Sequence, residues 1–371
     1  MSCNGHPTLK TPNLDRLHSE GIHFSDFHVS PYCSPTRASL LTGRDSRRVG
    51  VWHTYGGRGW LNEEETTIAD IFKFNGYATG HFGKWHLGDN YPFAPHFRGF
   101  DTSFMLGNSG MGATDGYWDN DRFNDTYFLN GKPVKTNGFG DDAFVDHALE
   151  FIEKHKDRPF FVYLATNTPH QPWNIPSKYR MKYDSTNTDT REVVPYLQKD
   201  MARFYGSIDK IDEQVGRILA FLEQQNLDKN TIVMFLTDNG TVSTEYNAGM
   251  RERKGSPYEG GHRVPLFIRW PNGKFHCEKE IKELTTHMDI VPTLIDLCGL
   301  KTEKQLSFDG QSLKPLLYSN HSNWNNDRIY ISQATQMIPG GYHVTAPKWG
   351  NTVLCKKQWR LVDNELYDLE S

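Results

Sequence analysis

No run in this 371-residue chain is apolar enough to span a membrane, and its first ten residues, MSCNGHPTLK, lack the apolar core of an export signal. If the protein is exported, the exporting segment is expected outside these residues. A basic excess is also missing: 41 Lys and Arg stand against 45 Asp and Glu, for a net charge of −4. Nucleic-acid binding is therefore not expected. The five cysteines, Cys3, Cys33, Cys277, Cys298 and Cys355, are odd in number and include no CxxC pair. This argues against a disulfide framework and shows no zinc-type thiolate cluster. Internal repeats and low-complexity tracts are absent. What remains is 37% hydrophobic residues with 32 glycines and 19 prolines, a loop-rich globular chain with ample core for one large domain or two unequal ones.

Helical and strand-like periodicities alternate along the chain. Ile68, Ile71 and Phe72, stopped by Asn75-Gly76, predict a helix before the strand-like YATGHF. Phe144, Val145, Ala148, Leu149 and Ile152 predict another before PFFVYLAT. Helical spacing from Met201 to Leu222 leads into TIVMFLTDNG, and VPLFIRW precedes a helix from Asp289 to Cys298 stopped by Gly299. Uninterrupted apolar strands between helices predict an α/β fold with a large, mainly parallel mixed sheet flanked by helices. From about Trp324, the runs DRIYISQ, TVLCK, QWRLV and ELYDL predict a small C-terminal antiparallel β subdomain. The expected division is a catalytic domain over 1–320 and an incomplete β subdomain over 321–371. The Gly-, Asn- and Asp-rich segment from Gly99 to Gly140 reads as a long binding loop.

Ligands of open parallel sheets bind beyond the carboxyl ends of the strands. Lys84 and His86 follow the first strand-like run, His170 follows the second, and Asp238 and Asn239 follow the third. Lys254, Glu259, His262 and Arg263 come shortly after. Cys33 and Arg37, in CSPTRASLLTGR, sit at the mouth of a short helix. Each feature alone has an ordinary explanation: a small buried thiol, a solvated loop, an Asp-Asn-Gly turn, a glycine hinge. Their joint placement at successive strand ends points to a site for a doubly charged oxyanion beside a hard metal ion.

These segments resemble the type I sulfatases, a group within the alkaline-phosphatase-like superfamily. CSPTRASLLTGR is similar to the family signature, Cys-x-Pro-x-Arg with a Leu-Thr-Gly-Arg ending. TPNLDRLHSEGIHFSDFHV, GYATGHFGKWHLG, TDNG, KGSPYEGGHRVP and DIVPTLIDLCG follow in the family's order. The resemblance implies that a formylglycine-generating enzyme oxidises Cys33 to formylglycine. One hydroxyl of its hydrate attacks sulfur, and loss of the other hydroxyl's proton then releases sulfate. It further implies that Arg37 holds the nucleophile, Lys84 binds hydrate and sulfate, and His86 assists loss of the second proton. His170 and Lys254 face the scissile oxygen. One Ca2+ per chain is held by Asp238, Asn239 and the residue at Cys33, with Glu259 to Arg263 as support from behind.

The implied function is hydrolysis of sulfate from a sulfated carbohydrate or aryl sulfate, in a periplasmic or secreted protein. Hydrolysis of a phosphonate or phosphate ester, and an inactive binder of sulfated glycans, are the alternatives. Trp52, Tyr55, Trp60, Trp85, Trp118 and Trp173 are candidates for stacking on sugar rings, with packing as the competing role. Sulfatases begin with a strand ending in an Asp-Asp pair that supplies two calcium ligands, and this chain aligns from just past that pair. The expectation is a chain that binds calcium poorly, folds marginally and turns over little.

Overall fold

The computed structural model describes residues 1–54, 59–107, 117–183, 201–243, 245–320, 323–334 and 349–370. The chain forms two compact units, interleaved in sequence. One comprises Met1–Leu17, Trp60–Thr231 and Leu300–Leu306, the other His18–Gly59, Ile232–Gly299 and Ser307–Ser371. Among the described residues, no helix is long and apolar enough to cross a membrane.

The first unit is built on a five-stranded mixed sheet in the spatial order Lys132–Lys135, Thr126–Leu129, Thr102–Leu106, Ala78–Lys84 and Phe160–Ala165. All seven residues of Ala78–Lys84 are buried, as expected for a strand with parallel neighbours on both sides. The helix before it, Ile68–Phe74, starts with a reciprocal capping box between Thr67 and Asp70. Helix Gly140–His155 turns Phe144, Ala148 and Phe151 onto Phe82, Phe104 and Tyr127, forming the core over this sheet. That apolar stripe recurs every three or four residues, so the helix has one face to bury.

The expected long loop from Gly99 to Gly140 is corrected by three strands within it: Thr102–Leu106, Thr126–Leu129 and Lys132–Lys135. Its abundant Asn and Gly are largely turn chemistry. Asn130 and Gly131 both have positive φ, 47° and 80°, and close the hairpin between its last two strands. Residues 108–116 lie outside the described residues.

In the second unit a four-stranded mixed sheet runs Glu280–Ile281, Ile22–Phe24, Leu266–Arg269, Val233–Leu236. Leu266–Arg269 is antiparallel to both neighbours. A second, four-stranded antiparallel sheet contains Tyr330–Gln333, Thr352–Lys356, Trp359–Val362 and Glu365–Asp368. Its alternating inward residues Tyr330, Val353, Cys355 and Val362 pack on Leu284 and Met288. This is the small C-terminal antiparallel element expected from the sequence.

Candidate functional site

Helix Cys33–Thr42 carries the signature in the second unit. Pro35 is tolerated in its first turn, where the missing N–H has no intrahelical acceptor to lose. Gly43 ends it in the left-handed region, φ 68°, with its N–H on Ser39 O. Nine of its ten residues are buried, so the signature belongs to the core and does not form a surface loop. Tyr32 at the N-cap supplies no side-chain acceptor. The first-turn N–H groups are therefore suited to an anion.

Cys33 is 3% exposed, and its thiol donates to Asn239 Oδ1 at 3.2 Å. Lys254 Nζ donates to Cys33 Sγ at 3.4 Å. One helical turn on, Arg37 Nε and Nη2 both reach Asp238 Oδ2, at 3.0 and 2.7 Å. Two carboxyl-derived side chains, a thiol and two cations are thus assembled from three separate segments. The backbone explains why they meet. Gly240 N donates to Gly261 O at 2.9 Å, and a Cβ on Gly240 would sit 1.8 Å from Gly260 O. The glycines of TDNG and EGGH allow that approach. Lys254 N donates to Thr241 O and Gly255 N to Pro31 O, which fixes the lysine beside the helix mouth.

Glu259 and Arg263 pair behind this group at 2.8 Å. Arg360, 2% exposed and unanticipated from the sequence, joins them through Nε to Glu259 Oε1 at 2.7 Å. Burial alone would raise the Glu259 carboxyl, but the fields of His28, Arg360, His262 and Arg263 hold it well below the usual range.

The first unit collects Lys84, His86 and His170 at the carboxyl ends of two adjacent parallel strands. Gly83 is opposite Ala165 in that pairing, and a Cβ on Gly83 would lie 2.2 Å from Ala165 O. With φ 110°, this position requires glycine and sets the direction of Lys84. Lys84 is 2% and His86 8% exposed, and His86 itself has φ 66°. His170 is half-buried, its Nδ1 2.7 Å from Gln171 O, so that nitrogen carries the proton and donates.

Sequence reading missed the pair that holds the His170 loop. Arg122 Nε donates to Pro172 O at 2.6 Å and its Nη2 to His170 O, while Nη1 faces Asp141 at 3.3 Å. Asp141 also accepts from Asn167 N at 2.7 Å. Burial lowers the Arg122 pKa, and the Asp141 charge opposes that. Arg122 lies in the segment taken as loop, and only its pairing with a carboxylate near a helix start could have flagged it.

Two of the candidate sugar-stacking aromatics are packing anchors. Trp85 is fully buried, with Nε1 on Phe93 O, and Trp173 is 5% exposed, with Nε1 on Pro169 O. Trp60 and Trp118 are 54% and 91% exposed, and Trp52 is half-buried. Tyr55 lies outside the described residues.

The Sulfatase family model matches residues 1–300, and the model for the C-terminal part of N-sulphoglucosamine sulphohydrolase matches residues 253–371. Arylsulfatase G of Mus musculus is 32% identical, over 86% of this chain and 66% of its own length. N-acetylgalactosamine-6-sulfatase of Mus musculus is 31% identical, over 85% of this chain and 63% of its own. The chain thus spans a little under two thirds of these curated relatives. The solved structure of Ps i-CgsB with k-i-k-neocarrahexaose is 26% identical, with a TM-score of 0.83, over 100% of this chain and 83% of that one. With the signature cysteine at a buried helix mouth and a family model covering most of its length, the chain belongs to the sulfatase family.

Proposed function

We propose that this chain carries the catalytic machinery of a sulfuric ester hydrolase acting on a sulfated carbohydrate. The observation that carries the reading is Cys33 at the mouth of a buried helix, bonded to Asn239 and Lys254, with Arg37 gripping Asp238 one turn away. Sγ stands in for the oxygens that formylglycine would bear there. Once formed, the formylglycine hydrate supplies one hydroxyl to attack sulfur and a second whose deprotonation frees sulfate.

The donor set fits formylglycine and supplies part of a calcium shell. Lys254 and Asn239 already offer a cation and a carboxamide within hydrogen-bond range of the Cys33 side-chain terminus. The carboxylate of Asp238 and the carboxamide oxygen of Asn239 suit a hard cation, so they would hold Ca2+, which supplies charge neutralisation for sulfate oxygens. Arg37 orients Asp238. The helix N-terminus favours the sulfate anion through its N–H groups and dipole. For Lys84 and His86, in the first unit, the family resemblance supports sulfate binding and loss of the second proton. With its Nδ1–H held by Gln171 O, His170 would deliver a proton to the leaving alcohol from Nε2 as the imidazolium, the role the family resemblance gives it together with Lys254.

The names of the relatives support a glycan substrate, as does the neocarrahexaose complex of the structural neighbour. Trp60 and Trp118, both exposed, are the aromatics we propose for sugar contact. Maturation by a formylglycine-generating enzyme and a periplasmic or secreted location belong to the same reading and rest on the family resemblance, while the 1–320 and 321–371 domain division rests on the change to short strand-like runs near Trp324.

The test is co-expression with a formylglycine-generating enzyme, mass spectrometry of the peptide containing Cys33, and parallel assays on aryl sulfate, aryl phosphonate and sulfated oligosaccharides. Formylglycine at Cys33 with sulfate-ester turnover supports the proposal. Turnover by a preparation holding only thiol overturns it, as does faster phosphonate hydrolysis or glycan binding without any turnover.

A further inference from the structure

Away from Cys33, the second unit buries a cluster of ligating side chains that the proposed reaction does not use. His28, His262 and Cys355 are each 0% exposed. They come from strand Phe27–His28, helix Glu259–His262 and strand Thr352–Lys356. One ring nitrogen of each histidine and the Cys355 Sγ all lie within 4.8 Å of one another.

Hydrogen-bond accounting shows what this arrangement needs. His28 Nε2 is 2.9 Å from Asp26 Oδ1 and 3.4 Å from Arg360 Nη2, and the shorter contact, to a carboxylate that only accepts, puts the proton on that nitrogen. His262 Nε2 is 3.1 Å from Pro257 O, a carbonyl, so it also bears the proton. A neutral imidazole has one N–H, which leaves both Nδ1 atoms with lone pairs. Those two Nδ1 atoms face each other at 2.9 Å. Something positive must lie between them, either an extra proton or a metal ion. The outer bonds, imidazole to carboxylate and imidazole to carbonyl, are the ones that orient metal-ligating histidines.

We propose that His28, His262 and Cys355 form a binding site for a zinc-type cation, distinct from the calcium ligands proposed beside Cys33. Nitrogen and sulfur donors suit zinc and exclude a hard ion such as calcium. The charge balances. Without metal, the cluster needs one extra proton between the Nδ1 atoms, and its thiol is neutral. With a divalent ion, that proton and the thiol proton both leave, and the net charge of the three ligands and their occupant stays at plus one. The surrounding ions, Asp26, Glu259, Arg263 and Arg360, therefore keep their pairing. Burial pushes the Cys355 thiol up and lowers His262 to about 3, so neither holds charge without an ion. Zinc–nitrogen bonds of about 2.0–2.1 Å and a zinc–sulfur bond of about 2.3 Å at tetrahedral angles place the nitrogens roughly 3.3 Å apart and the sulfur roughly 3.6 Å from each. The rings therefore part by roughly 0.4 Å while Sγ, within 4.8 Å of them, closes on the ion. The site ties the strand leading to Cys33 to the C-terminal sheet.

The experiment uses the full chain, reduced, stripped with EDTA and held in excess Ca2+ to fill oxygen sites. Zinc is then added, and bound metal is measured after gel filtration. The expected result is one equivalent of zinc per chain, with release of about two protons on uptake in weakly buffered solution. Cobalt(II) in place of zinc should give a thiolate-to-metal charge-transfer band. Cys355→Ser and His262→Gln should each abolish that band and weaken zinc binding at least tenfold, while Cys33→Ala keeps both. Less than stoichiometric zinc, a wild-type protein without the band, or zinc retention unaffected by Cys355→Ser overturns the proposal. If the variants do not fold, the wild-type band and proton count decide it. None of these readouts depends on sulfatase turnover.

Discussion

His170 shows how much a single hydrogen bond decides. Its Nδ1 donates to Gln171 O at 2.7 Å, so in the proposed role Nε2 is the ring position left to exchange a proton with the leaving alcohol. His170→Asn removes that exchange. We expect kcat to fall about 100- to 1,000-fold for alkyl and sugar sulfates, and only a few-fold for activated aryl sulfates, whose leaving groups need no proton. Equal losses on both would remove His170 from that role. His6 makes the opposite use of an imidazole. Its Nδ1 accepts from Thr8 N at 3.1 Å and Leu9 N at 3.0 Å, which only the neutral ring can do. Burial, aided by the nearby N-terminus, lowers His6 to about 4 from 6.5. The unfolded chain therefore binds the extra proton first. The stability His6 contributes is present above pH 6.5 and lost as pH falls to about 4. His6→Asn, whose carboxamide oxygen can accept without titrating, should flatten the melting-temperature profile across that window. An unchanged profile would show that His6 does not carry the acid sensitivity.

At the scale of elements, the helices were legible because each declares a face and an end. Asn75-Gly76, with Gly76 at φ 79°, stops one, Gly299 with φ 63° stops another, and the Phe144–Ile152 stripe gives a third its buried side. The four C-terminal strands were equally clear from short alternation between turn residues. Pairing direction was not legible: nothing local in VPLFIRW says that it runs antiparallel to both neighbours. Nor was Arg360, whose partners Asp26 and Glu259 lie 334 and 101 residues away. Cys33, Arg37, Asp238, Asn239 and Lys254 were legible because a contiguous signature and short motifs carry them. Their hydrogen bonds were not. Arg360 ties the C-terminal sheet to Asp26 at 2.6 Å and Glu259 at 2.7 Å. Arg360→Met leaves two carboxylates nearly enclosed without that guanidinium, so we expect a loss of about 3–5 kcal/mol in urea unfolding. Adding Glu259→Gln should restore part of it. A loss under about 1 kcal/mol would mean that Arg263 and His28 suffice.

For the molecule as a whole, calcium held at the proposed site would couple that site to folding. An ion that binds only the folded chain adds about 2.7 kcal/mol of stability at a hundredfold excess over its Kd, without changing any other contact. Asp238 is the charged member of the proposed ligand set, and Arg37, 5% exposed, already spends two hydrogen bonds on its Oδ2. Removing the carboxylate thus has two separable consequences. Asp238→Ala leaves a buried guanidinium without this partner, which lowers stability in EDTA by up to about 3–5 kcal/mol. It also removes the charge that attracts the ion, so the further gain on adding Ca2+ should vanish. Asp238→Asn keeps an oxygen for Arg37 but not the charge, and should be less destabilised in EDTA while still showing little calcium response. Urea unfolding of all three proteins, with and without Ca2+, separates the two effects. If Asp238→Ala keeps the full wild-type calcium increment, the ion binds elsewhere, and Asp238 serves only as the ion-pair partner of Arg37.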